Sequence, residues 1–218
     1  DVGDGTRIVV PGLGGVRYFF VVGAYDGDGQ QAFSDQLTAK PAPELMATDD
    51  FEDGDAADWS TIAGSWSVVS GAGREYQVRD CGTAGTATSI TGDSAWTDYS
   101  IEIRARVDSW DPAGQVGIVG RYVDNANHYF MCFNRKTRRV HLVRRQAGAD
   151  TTLARSRALQ VPAEGQQHCL RFEIDGETLR AYVDGGMVAA AVDSAFLSGR
   201  VGLRTYNQTA AFDDLVIQ

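Results

Sequence analysis

The sequence predicts an all-β protein: a large two-sheet sandwich preceded by a shorter β-module. Three observations carry that prediction. Short runs that alternate apolar and polar residues recur along the chain, whereas apolar residues at helical spacing are scarce. Gly, Asp and Asn separate these runs, and two of the turns are explicit: DGET at 175–178 and DGG at 184–186, where glycine supplies positive φ. Many short strands at this spacing are the mark of a sandwich.

Taken in order, residues 6–10, 18–24 and 32–39 read as three strands. The segment KPAPEL at 40–45 follows, and its two prolines interrupt any ladder and mark a linker. The expected division is a first module at 1–41, a linker at 42–47 and a main module at 48–218. In the main module strands are expected at 66–69, 86–90, 99–107, 115–122, 128–134, 138–146, 169–175, 179–183, 187–192, 199–205 and 210–217. The run 99–107 alternates cleanly. Tyr99, Ile101, Ile103, Ala105 and Val107 belong on a core face, with Ser100, Glu102, Arg104 and Arg106 on an outer one. HYFMCFN at 128–134 is apolar on both faces, with Tyr129, Met131 and Phe133 on one and His128, Phe130 and Cys132 on the other. Such a strand needs cover on both sides, from a loop or from a bound ligand.

Composition excludes several classes. With 43% hydrophobic residues there is material for a packed core, and a formal charge of -9 weighs against a general nucleic-acid binder. No apolar run approaches the roughly 20 residues of a membrane-spanning helix. The opening DVGDGTRIVV also lacks the pattern of a signal peptide. Cys81, Cys132 and Cys169 are too widely spaced for a zinc site and permit at most one internal pair; free buried thiols are expected.

Within 1–41, Gly12-Leu13, Tyr18, AYDGDG at 24–29 and SDQLTAKP at 34–41 resemble the last three strands of a fibronectin type III module of the bacterial, enzyme-linked kind. The first strands of such a module are missing, so the sequence reads as a fragment, and this part as a spacer. From 48 onward, DDFEDGDAADWS, GSWSVV, DSAWTDYSIEIRARV, GIVGRYVDNANHYFM, EIDGETLRAYVDG and RVGLRTYNQTAAFDDLVI resemble, in that order, concanavalin A-like or laminin-G-like jelly rolls. The likeness is to the group of family 66 carbohydrate-binding modules and DUF1080-type domains. The resemblance implies a secreted bacterial polysaccharide lyase or glycosidase whose catalytic domain lies upstream, with polysaccharide or oligosaccharide as partner.

Expected sites follow from this frame. Asp49, Asp50, Glu52 and Asp53 lie near the start of the main module and Asp213 and Asp214 near its end. First and last strands of a jelly roll are neighbours, so these carboxylates should converge, and oxygen-only ligands suit Ca²⁺. The resemblance likewise implies a structural calcium, with Asp50, Glu52, Asp213 and Asp214 as its ligands. The alternative is a solvated acidic turn in which Asp50 caps local backbone. For sugar binding, the candidates are Glu102, Arg104, Arg121, Tyr129, Arg144, Arg204 and Tyr206, with Arg106, Tyr122 and Arg145 beside them. RKTRRVHLVRR at 135–145 is a basic hairpin in an acidic protein. Guanidinium groups pair bidentately with carboxylates, which points to uronic acid polymers such as pectate. The competing reading is that these arginines solubilise the surface and protect strand edges.

Catalysis is not expected from this chain. Retaining jelly-roll glucanases carry an ExDxE strand that sets two carboxylates about 5 Å apart. The nearest segment is FEIDGE, where the glycine turn removes Glu177 from the face shared by Glu173 and Asp175. His128, His141 and His168 have no nucleophile signature nearby. A loop-borne hydrolase or lyase site of the DUF1080 type and a laminin-G-like protein-adhesion module are the alternative functions.

Overall fold

The computed structural model describes residues 18–39, 45–70 and 73–218. The chain divides into two compact units, 1–45 and 46–218. In the first, β1 (Tyr18–Phe20) pairs with β4 (Leu37–Ala39), and β2 (Gly23–Tyr25) with β3 (Gln31–Phe33), all antiparallel. The expected β2–β3 turn is present: Asp26 Oδ1 accepts from the backbone N–H of Asp28 at 3.0 Å and of Gln30 at 2.9 Å. The strand expected at 6–10 and the Gly12-Leu13 pair lie outside the described residues.

The second unit is a sandwich of two antiparallel sheets. Its strands are β5 (Ala47–Asp49), β6 (Ser60–Ala63), β7 (Ser65–Ser70), β8 (Arg74–Asp80), β9 (Thr86–Thr91), β10 (Tyr99–Arg106), β11 (Gln115–Asp124) and β12 (Asn127–Asn134). They continue as β13 (Arg139–Gln146), β14 (Ala149–Arg155), β15 (Gln167–Asp175), β16 (Thr178–Val183), β17 (Gly186–Val192), β18 (Arg200–Tyr206) and β19 (Ala211–Ile217). An eight-stranded sheet runs β17-β16-β15-β10-β19-β8-β7 with β5 added to β19; a seven-stranded sheet runs β14-β13-β12-β11-β18-β9-β6.

The core forms between the sheets from the faces that alternation assigned inward. Ile101, Ile103 and Phe172 from one sheet meet Ile118, Met131, Leu142 and Leu203 from the other, all fully buried. At about 25 cal/mol per Å² of apolar surface, each such side chain contributes roughly 1.5–3 kcal/mol on burial. First and last strands of the unit are neighbours, as expected: β5 pairs with β19 through Leu215 and Asp49. All three cysteines are free thiols. Four strands were not expected, β5, β6, β8 and β14. In β8 only Tyr76 and Val78 are buried, and most of β14 is exposed on a sheet edge, so neither needs a long apolar face.

Candidate functional site

The outer face of the seven-stranded sheet is apolar at its centre. Ile90, Val119, Phe130, Cys132 and Val143 form a second cluster there, separate from the main core. This is the second apolar face of HYFMCFN, and one of its covers is Arg204. The guanidinium carbon of Arg204 lies 4.3 Å from the centre of the Phe130 ring, and the residue is only 9% exposed. Such stacking is favourable for a cation. What is missing is an anion: among the described residues the Arg204 guanidinium has neither an ion pair nor a hydrogen bond. Asp150 acts on it from a distance but is already held by Arg145 at 2.9 Å. Burial accordingly lowers the pKa of Arg204.

Strand register builds a polar track around this arginine. Across the sheet, Arg204 stands opposite Gly117, Gly117 opposite Cys132, Cys132 opposite His141, and His141 opposite Arg155. The adjacent row runs Tyr206, Gln115, Asn134 and Arg139. Gly117 is required here. A Cβ would sit 1.9 Å from the Met131 carbonyl oxygen and 2.8 Å from the Cys132 Cα, so a side chain would collide with β12. Arg139 donates to the Ser156 carbonyl at 2.6 Å. Burial, then the cations Arg155 and Arg139, lower the pKa of His141.

Beside Phe130, His128 stacks on Tyr122 with ring centres 5.5 Å apart. Its Nδ1 lies 3.0 Å from the Asp124 carbonyl oxygen, which only accepts, so Nδ1 carries the proton and Nε2 keeps its lone pair. Burial, opposed in part by that bond, pushes the His128 pKa down to about 4. The unfolded chain therefore binds the proton first. The stabilisation is complete above pH 6.5 and is lost as pH falls from there through about 4. The shift corresponds to about 3 kcal/mol at most. We expect His128→Phe to flatten the fall in melting temperature across that window, as followed by calorimetry.

The sequence-predicted sugar residues do not converge on one patch. Arg204 and Tyr206 lie on the face just described. Glu102 and Arg104 are on β10, in the eight-stranded sheet, and point from its outer side. Arg121, expected as a sugar contact, is 2% exposed. It donates to the carbonyls of Thr97 at 2.9 and 3.0 Å and Phe196 at 2.7 Å, and to Asp98 at 3.2 Å. Its backbone takes a left-handed φ of 43° where β11 breaks register, which turns the side chain inward as a strut. Tyr129 is fully buried; its hydroxyl donates to Asp193 at 2.5 Å and accepts from Phe196 N–H at 3.2 Å. Arg144 pairs with the same Asp193 at 2.6 Å. Arg121, Tyr129 and Arg144 therefore anchor the 193–196 loop rather than present a platform. Both sides of HYFMCFN being apolar concealed this, because the pattern does not say which side faces the core.

The expected calcium ligands are also divided. A recess of about 520 Å³ on the outer side of the eight-stranded sheet is lined by Asp49, Asp50, Asp53, Glu102, Arg104 and Asp214, among others. Asp214, at a left-handed φ of 51°, pairs with Arg104 at 3.0 Å. Glu52 instead accepts from Arg74 N–H at 2.9 Å, while Asp50 caps Glu52 N–H at 3.2 Å. Asp213 Oδ1 accepts from Asp214 N–H at 2.8 Å, and burial raises its pKa. Among the described residues no three Asp, Glu, His or Cys side chains group as a metal site. Asp50, Glu52, Asp213 and Asp214 thus do not fit one ion together, and Asp214 is already balanced by Arg104.

The glucanase-like segment is likewise engaged. Glu173 accepts from Arg180 at 2.6 Å and from the Tyr182 hydroxyl at 3.1 Å, and β15 ends at Asp175 before Glu177.

Sequence reasoning missed Gly117, Gln115, Asn134 and Arg155 as members of the track and weighed His141 only as a catalytic group. One signal was available: between Asp124 and Asp150 the chain has no acidic residue while carrying six arginines and lysines. No family model matches the chain. A levanase of Bacillus subtilis (strain 168) is 24% identical over 182 residues, covering 82% of this chain and 25% of that protein. An extracellular exo-alpha-L-arabinofuranosidase of Streptomyces chartreusis is 28% identical over 155 residues, covering 69% of this chain and 17% of that protein. The chain thus spans a quarter or less of these relatives. Among solved structures, the carbohydrate-binding module CBM66 from Bacillus subtilis superposes with a TM-score of 0.64 at 22% identity, over 74% of this chain and 95% of that one. Order of strands, pairing of the first with the last, and this likeness establish the fold of the larger unit as a concanavalin A-like jelly-roll sandwich.

Proposed function

We propose that the larger unit is a non-catalytic carbohydrate-binding module of a secreted polysaccharide-degrading enzyme, and that it binds acidic polysaccharide such as pectate on the outer face of the seven-stranded sheet. The observation that carries this reading is Arg204, a nearly buried arginine stacked on Phe130 with no anion partner among the described residues. An unpaired buried charge costs stability, so its retention points to a ligand that pairs with it. Relatives named as a levanase and an extracellular arabinofuranosidase, and a fold neighbour named as a carbohydrate-binding module, support a carbohydrate ligand and a secreted setting; the acidic character of the ligand rests on the arginines alone. In this reading the catalytic domain belongs to another part of the protein, and residues 1–41, as a fibronectin type III-like piece, act as a spacer. A structural calcium stays in this reading only as something to be tested, because Asp50, Asp53 and Asp214 line the recess without grouping as a metal site among the described residues.

Affinity electrophoresis against pectate, rhamnogalacturonan, levan, xylan and alginate, with and without calcium, tests the reading. Retardation by pectate without release of reducing sugar is the expected result. Free migration in every gel overturns it. A melting temperature unmoved by millimolar calcium after EDTA treatment removes the cation.

A further inference from the structure

Two unpaired guanidinium groups on one sheet face are too far apart for a single carboxylate to serve both. Arg204 is on β18 and Arg155 on β14, four strands away across β11, β12 and β13. At about 4.8 Å per strand this is roughly 19 Å. Neither arginine has an ion pair among the described residues, and register puts both in the row that runs through Gly117, Cys132 and His141. Arg139 lies one row over on the strand next to β14, with only the Ser156 carbonyl as partner. Arg155 is exposed on the edge strand, so the row is open at that end.

From this spacing we propose that the face takes an internal stretch of several uronate residues laid across the strands, with carboxylates along it meeting Arg204, Arg139 and Arg155. The proposal rests on the reading that this face binds carbohydrate. It adds that the ligand is a polymer segment carrying carboxylates at intervals, not a monosaccharide or a neutral chain end. Arg204, covered and stacked on Phe130, fixes one residue; the exposed cations add affinity only when the chain is long enough to reach them. Gly117, beside Arg204 in the row, adds no side chain to the floor there.

Isothermal titration of the full chain with mono-, di-, tetra- and hexagalacturonate tests this. Affinity is expected to rise about tenfold or more from the di- to the hexamer, as one or two charge-assisted pairs are added, and to fall with added salt. Arg155→Gln, at an exposed side chain with no side-chain bond among the described residues, should leave the melting temperature and digalacturonate binding unchanged and remove most of that gain. Monogalacturonate bound as tightly as the hexamer overturns the proposal, as does an Arg155→Gln protein that keeps the full gain. Dextran sulfate of matched length bound more tightly than hexagalacturonate would overturn the choice of carboxylate. Binding of neutral fructo- or arabino-oligosaccharides in place of the acidic ones defeats this inference but leaves the carbohydrate-binding reading standing. Silence toward every oligosaccharide defeats that reading itself.

Discussion

Arg204→Met is expected to raise the melting temperature by a few degrees while weakening oligogalacturonate binding at least about tenfold. Both effects come from one fact: among the described residues no anion stands beside Arg204, a residue that is only 9% exposed. Methionine keeps an unbranched apolar stem over Phe130, so the cover of the outer cluster is retained. Removing the buried charge eliminates its desolvation cost, and replacing buried charges by packed apolar groups is neutral or stabilising by about 1–4 kcal/mol. The same change deletes the bidentate donor for a carboxylate, whose charge-assisted bonds are the strong ones. Calorimetry and titration on one sample read both. A loss of stability together with unchanged binding would show that Arg204 is a structural cover and nothing more. Gain on one axis with loss on the other is the pattern of a binding residue held at the expense of the fold.

Arg121→Ala should do the reverse, lowering stability by about 3–5 kcal/mol. The side chain satisfies the Thr97 and Phe196 carbonyls from a nearly sealed position. Each orphaned buried acceptor costs about 1–3 kcal/mol, and the space left by the side chain adds to that. For a unit of this size that is roughly a 10 °C drop in melting temperature. Arg121→Lys should recover part of it, since one ammonium reaches fewer of the three acceptors. Glycan affinity of whatever fraction remains folded should be unchanged, because Arg121 does not reach either outer face. A normal melting temperature with lost affinity would return Arg121 to the binding surface.

The contrast between these two arginines shows where sequence reasoning stops. Both sit in strands next to aromatic residues, Arg121 before Tyr122 and Arg204 two before Tyr206, and local pattern treats them alike. They part because β11 breaks register at Arg121, where a left-handed φ turns the chain, while β18 pairs regularly with β11 and β9 through Arg204. In the same way Glu102 and Arg104 read correctly as outward-facing on β10, yet belong to the other sheet, because which strands share a sheet is a matter of crossover topology. Asp213 and Asp214 were expected beside the acidic opening, and the β5–β19 pairing places them there, but Arg104 on the neighbouring strand pairs with Asp214 and supplies counter-charge that a cation was expected to provide.

By itself the sequence determined the all-β class, the strand positions with a strong two-residue period, the inward residues of β10 and the two-faced nature of β12. Those features depend on alternation and turn chemistry, which act between near neighbours in the chain. The tertiary structure alone decided which face of β12 meets the main core, which arginines have partners, and which side chains line up across the seven-stranded sheet. Strand register and sheet assignment arise from pairings between residues far apart in the chain. A charge is left unpaired or neutralised only by what those pairings bring beside it.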